Sequence, residues 1–122
     1  MGGCGLRQSS TQRAAASLPR PVRFAEVEVR SAGDPAAIEA AVAHCVAELG
    51  ALDVLVNNAG TNPVFGPMIE VEEAAVRKVL EVNVEGPLWL TQAAWRSWMR
   101  DHGGVVSNVA CVAVSGPSPV HG

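Results

Sequence analysis

At 122 residues the chain has room for one compact domain and not for two. A hydrophobic share of 48%, an aromatic share of 4%, no tyrosine, a net charge of −3 and a pI near 5.5 exclude a basic or ring-rich surface for nucleic acid or anionic lipid. Cys4, Cys45 and Cys111 form neither a CxxC pair nor a disulfide framework, and no apolar run nears the ~18 residues of a membrane span, so a reducing, cytoplasmic setting is expected, with no metal site and no membrane partner.

Residues 1–21 lack a sustained apolar period and read as a disordered leader, although Arg7, Arg13 and Arg20 without any acid superficially suit a transit peptide. Residues 22–122 read as one unit. Val22, Phe24, Val27 and Val29 alternate imperfectly among charged residues, which predicts a strand near 24–30. Asp34 then caps a helix: its carboxylate can accept from the free N–H groups of the first turn, and Pro35 suits the first helical position. Ile38, Val42, Cys45, Val46 and Leu49 fall on one face of it, and Gly50 ends it in the left-handed conformation.

The run 52–56 (Leu-Asp-Val-Leu-Val) breaks off at Asn57-Asn58-Ala59-Gly60, as a buried parallel strand does when it delivers a turn to the sheet's carboxyl edge. After a Pro- and Gly-rich loop, a helical pattern runs over 72–100, with apolar positions at Val76, Leu80, Val84, Leu88, Trp95 and Met99. Its apolar face, notably Leu88, Trp95 and Met99, is left uncovered by the elements foreseen. Gly103-Gly104 stops the helix, and Val105 begins a second buried strand reaching to 111. Strand, loop, helix, strand implies right-handed crossovers and an α/β fold: a partial Rossmann-like, doubly wound parallel sheet in a three-layer αβα arrangement, with any ligand at the strands' carboxyl ends.

Asn57-Asn58-Ala59-Gly60, following a strand and preceding a long helix, resembles the NNAG hallmark of the short-chain dehydrogenase/reductase family. In that family the asparagines tie the sheet edge together while the Ala59-Gly60 backbone approaches the cofactor, where a larger side chain would obstruct it. Asn57, Asn58, Ala59 and Gly60 are therefore the expected cofactor-binding residues. Asn83, in Val-Asn-Val-Glu-Gly, resembles the asparagine of the family's catalytic tetrad, which holds a water in a proton relay. Pro87 adds a physical reason: it has no N–H for the carbonyl four residues earlier, so the helix is expected to bend between Asn83 and Pro87 and free the Asn83 carbonyl.

Residues 103–111, ending Ser-Asn-Val-Ala-Cys, resemble the family's fifth strand, with Cys111 standing where the catalytic serine is usual. A thiol is a weaker donor than a hydroxyl, and a small buried hydrophobe is the plainer reading of Cys111. The family's TGxxxGxG turn is not found upstream of Asp34, and its YxxxK pair is expected just past Gly122.

The resemblance thus implies the central fragment of an NAD- or NADP-dependent oxidoreductase, moving a hydride between nicotinamide and a small alcohol or carbonyl substrate, and inactive as these residues alone. Two alternatives stand beside it: a non-catalytic remnant associating, as a homo-oligomer, through helix 72–100, and a flavodoxin-like binding domain, which would need phosphate loops that the sequence does not show.

Overall fold

The computed structural model describes residues 22, 23, 25, 33–63 and 66–110. The foreseen leader 1–21, nearly all of the strand at 24–30, and Cys111 lie outside the described residues.

Helix α1 spans Pro35–Leu49, with the termini its sequence foretells. Asp34 Oδ1 accepts from the N–H groups of Ala36 at 3.1 Å and Ala37 at 3.2 Å, satisfying two orphan donors of the first turn. Gly50 closes the helix with φ 79° and donates its N–H to Val46 O at 2.8 Å. The guanidinium of Arg23 adds a second closure, donating to the terminal carbonyls of Glu48 at 2.7 Å and Leu49 at 3.1 Å. Ile38, Val42 and Cys45 of the foreseen apolar face are buried, while Val46 and Leu49 stay half-exposed.

Two parallel strands follow, β1 over Val54–Asn57 and β2 over Val105–Asn108, paired Val54 with Val105 through Asn57 with Asn108. Bonds from Val105 N–H to Asp53 O and from Val109 N–H to Asn57 O, each 2.9 Å, extend the pairing by one step at either end. Both strands were expected to be buried. Instead Val54, Val56, Val105 and Val109 are 56–60% exposed on one face of the sheet, whereas Asn57, on the other face, is buried. The reason lies in coverage: parallel strands read as continuous apolar runs because helices pack on both faces, and among the described residues helices cover only the face of Leu55 and Asn57.

The helical pattern foreseen over 72–100 is five pieces rather than one rod. After a 3₁₀ turn at Met68–Glu70 come α2 (Glu73–Leu80), a π-helical turn (Glu81–Glu85), α3 (Gly86–Ala94), a second π-helical turn (Trp95–Met99) and the single turn α4 (Arg100–His102). The first π turn stands directly before Gly86-Pro87, where a residue without an N–H cannot continue the α ladder. It also explains the stripe of apolar residues. Positions 76, 80, 84 and 88 recur every four residues, a spacing that drifts around a regular helix, and a widened turn cancels part of that drift.

That stripe does not face the core. Val76, Leu80, Val84, Leu88 and Trp95 are all 45–57% exposed, while the buried side of the helix is the small-residue side, Gly86, Ala93 and Ala94. Ile38, Val42 and Ala93 form the core, with Leu52, Trp89 and Leu90 packed against them, so that α3 bridges α1 and β1. Met99, expected to be uncovered, is 5% exposed. Gly104 accounts for that burial: a Cβ there would sit 2.8 Å from Met99 Cγ, so the absence of a side chain makes room for Met99.

Candidate active site

The carboxyl ends of the two strands meet at one edge, as the register Asn57 to Asn108 requires. β1 gives way there to Asn58, Ala59 and Gly60, all exposed. Asn57 itself turns inward and is 5% exposed. Its Nδ2 donates to Asn108 Oδ1 at 2.8 Å across the sheet and, at a longer 3.5 Å, to the hydroxyl of Thr91. Thr91 Oγ1 donates in turn to the carbonyl of Pro87 at 2.7 Å. Asn57 Oδ1 is buried and meets no donor among the described residues.

Asn83 lies in the middle of the first π turn and reaches the same edge. Its Oδ1 accepts from Thr61 N–H at 2.8 Å, and its Nδ2 donates to Thr61 O at 2.9 Å. A carboxamide thus imitates a strand partner for one residue of the loop and pins the chain next to Gly60. This pairing is not legible in the sequence, which points to the carbonyl of Asn83 rather than its side chain. Thr91 is likewise not among the residues that motifs single out. The available signal was a threonine four residues after a helix-breaking proline, the spacing at which a hydroxyl bonds back to a carbonyl.

A dinucleotide fits the turn in one respect that the geometry tests. Among the described residues a Cβ built on Gly60 would meet only Asn83 Oδ1, at 3.8 Å, so the backbone at Gly60 is open on that side. Asn58, Ala59 and Gly60 are the residues that could lie against a cofactor, and Asn57 and Asn83 hold them in place. Cys111, three residues past Asn108, lies outside the described residues. Among the described residues no group of three or more His, Cys, Asp or Glu side chains could hold a metal ion.

One ionisable side chain next to the site is perturbed. A hydrogen bond from Lys78 Nζ to Glu81 Oε1 at 2.8 Å lowers the carboxyl of Glu81 below its ordinary range, the charge of Lys78 and the backbone of Gly33 assisting. Gly33 lies against that carboxylate, with its would-be Cβ 3.3 Å from Glu81 Cδ, so this acid ties the entry of α1 to the start of the π turn. No described helix is long and apolar enough to cross a membrane.

Residues 3–121 match the family model described as short chain dehydrogenase, a wider stretch than the motifs alone carry. Dehydrogenase/reductase SDR family member 4 of Pongo abelii is 38% identical over 81 residues, covering 66% of this chain and 29% of the relative. An uncharacterized oxidoreductase of Thermotoga maritima is 40% identical over 75 residues, 62% of this chain and 30% of its own length. Among solved structures, a short chain dehydrogenase from Mycobacterium smegmatis superposes with a TM-score of 0.67 at 32% identity, over 74% of this chain and 38% of that one. A short-chain type dehydrogenase/reductase from Mycobacterium ulcerans gives a TM-score of 0.67 at 26% identity, over 75% and 33% respectively. The chain therefore spans about a third of the length of these relatives.

Proposed function

The chain belongs to the short-chain dehydrogenase family, and from that premise we propose that it is part of an oxidoreductase using NAD or NADP on a small alcohol or carbonyl substrate. A bound nicotinamide would supply or accept the hydride. The residues of this chain do the holding: Asn58, Ala59 and Gly60 offer an open backbone surface to the dinucleotide, and Asn83 fixes that surface through Thr61. The Asn83 carbonyl, on a turn that Pro87 cannot close with an N–H, is our candidate acceptor for a relay water. Cys111 occupies the serine position and would align a substrate oxygen weakly. A cytoplasmic setting belongs to the same proposal.

The observation that carries this reading is the two-point bond between Asn83 and the Thr61 backbone beside an open Gly60. Titration of the protein with NADH and NADPH, followed by nucleotide fluorescence, tests it. Gly60→Leu has room to fold, since among the described residues only Asn83 Oδ1 lies near that Cβ, yet it fills the surface assigned to the cofactor. Binding by the native protein and its loss in folded Gly60→Leu are the expected results; equal binding by both would place the dinucleotide elsewhere.

A second reading rests on the exposed stripe Val76, Leu80, Val84, Leu88 and Trp95. In it, these 122 residues by themselves are non-catalytic, holding no tyrosine to serve as proton donor, and associate with a second copy through helix 72–100. Light scattering across a concentration series separates the two readings from one another, since the first needs no change of mass.

A further inference from the structure

The site contains a hydrogen-bonded network that branches at Asn57, one arm crossing to β2 and the other running through Thr91 to the helix. The Asn57 carboxamide has two N–H bonds to give; one goes to Asn108 Oδ1 and the other to Thr91 Oγ1. The single O–H of Thr91 goes to the Pro87 carbonyl, so the hydroxyl accepts from the strand side and donates to the helix side. β1, β2 and α3 are joined through side chains here, on the carboxyl edge of the sheet, with Thr91 about two turns along the helix from Asn83.

We propose that Thr91 is a positioning residue: its hydroxyl locks the broken helix to the paired strand ends, and so sets Asn83 against the turn 58–61. A valine there keeps the shape of the side chain but leaves one Asn57 N–H without an acceptor in a site that is 5% exposed, and leaves the Pro87 carbonyl with its helical partner alone. The break is then fastened to the sheet by packing only. Asn83, four residues before Pro87, loses its fixed height over Thr61, and the Asn83 to Thr61 pair opens more often. The functional weight of the inference rests on the reading that this turn meets a dinucleotide, but its position can be read without one.

The test compares the native chain with Thr91→Val and Thr91→Ser by NMR hydrogen exchange. It follows the side-chain amide of Asn57, the backbone N–H of Thr61, and the N–H of Val42 in the core as a control. Thr91→Val is expected to speed Thr61 exchange by about tenfold and to shift the Asn57 Nδ2 resonance, with Val42 unchanged. Thr91→Ser, which keeps the hydroxyl, is expected to restore both within roughly twofold. Unchanged Thr61 exchange in Thr91→Val, failure of Thr91→Ser to restore it, or equal acceleration at Val42 would each overturn the proposal, the last by showing a merely structural role. Absence of NADH and NADPH binding in the native chain would defeat the cofactor reading and leave these exchange results to stand by themselves.

Discussion

Removing the carboxamide of Asn83 is the most informative single change at this site. Asn83→Ala deletes the bonds at 2.8 Å and 2.9 Å to the Thr61 backbone, the bonds its side chain makes among the described residues. A net hydrogen bond is worth about 0.5–1.5 kcal/mol, and because Asn83 is exposed the pair belongs toward the lower end, about 1–2 kcal/mol together. That is a factor of about 5–30 in the population of the opened loop, and Thr61 N–H should exchange faster by that factor. The helix itself should not suffer, since alanine is the better helix former of the two. Melting temperature should therefore move little while one amide changes strongly, a separation that hydrogen exchange read residue by residue, beside a thermal melt, can show. Asn83→Asp supplies an internal control. It keeps an acceptor for Thr61 N–H but sets a carboxylate against Thr61 O with no donor between them, so protection of Thr61 should fall between native and alanine. Native-like exchange at Thr61 in Asn83→Ala would refute the clamp, and a general loss of protection would mean that Asn83 supports the whole fold instead.

Other consequences follow from the same structure. Asp34→Ala should cost about 1 kcal/mol by orphaning the first-turn N–H groups of α1, while Asp34→Ser should be nearly neutral, both read by urea denaturation. Gly50→Ala, forcing a Cβ into φ 79°, should cost about 1 kcal/mol by the same measurement although none of the described residues crowds the position. The carboxyl of Glu81 is lowered in the folded chain, so its contribution is present above the ordinary carboxylate range and is lost as pH falls through the folded value; Glu81→Gln should flatten that acid limb in a pH series of melts, and an unaltered limb would show the Lys78 bond to be inconsequential. If helix 72–100 carries association, Leu88→Glu should shift the mass measured by light scattering toward monomer at a concentration where the native chain is larger.

How much of this was legible depended on whether a residue acts through its neighbours in sequence or through distant ones. Asp34, Pro35 and Gly50 act within one turn of their own helix, and the ends of α1 match the reading of those three residues. The parallel pairing of β1 with β2 was legible from two apolar runs either side of a long helix. The start of β1 was not: Leu52 lies outside the ladder and packs on the core instead, a choice made by Ile38 and Ala93. Pro87 pointed to a bend freeing the Asn83 carbonyl, and what stands before it is a widened π turn at Glu81–Glu85, whereas the second π turn at Trp95–Met99 has no proline and no glycine to announce it. Which face of that helix is buried was legible only in hindsight. The large apolar residues draw attention, yet close approach of α1 to α3 is made by Ala93, with Ala94 and Gly86 beside it, because small side chains let backbones near one another. At the site, the NNAG motif located the turn, but the partners that hold it, Thr61, Thr91 and Asn108, are common residues whose role comes from being brought together over 22, 34 and 51 positions.

The recurrence of asparagine at this edge has a physical cause. Each of the jobs done by Asn57 and Asn83 needs N–H donors at the end of a short, neutral side chain: Asn83 must satisfy both an N–H and a carbonyl of one loop residue, and Asn57 must give both its N–H bonds inside a nearly closed site. Aspartate would have the acceptors without the donors, and its charge would be costly where Asn57 is buried. Glutamine would add a rotatable bond to be frozen and would overreach a loop already within 2.9 Å. Serine has one hydrogen and could fill only half of either role. A neutral, two-handed and short side chain is what lets three separate stretches of chain meet at a backbone surface kept clear of side chains. That makes the same few residues both the fasteners of the fold and the frame of its site.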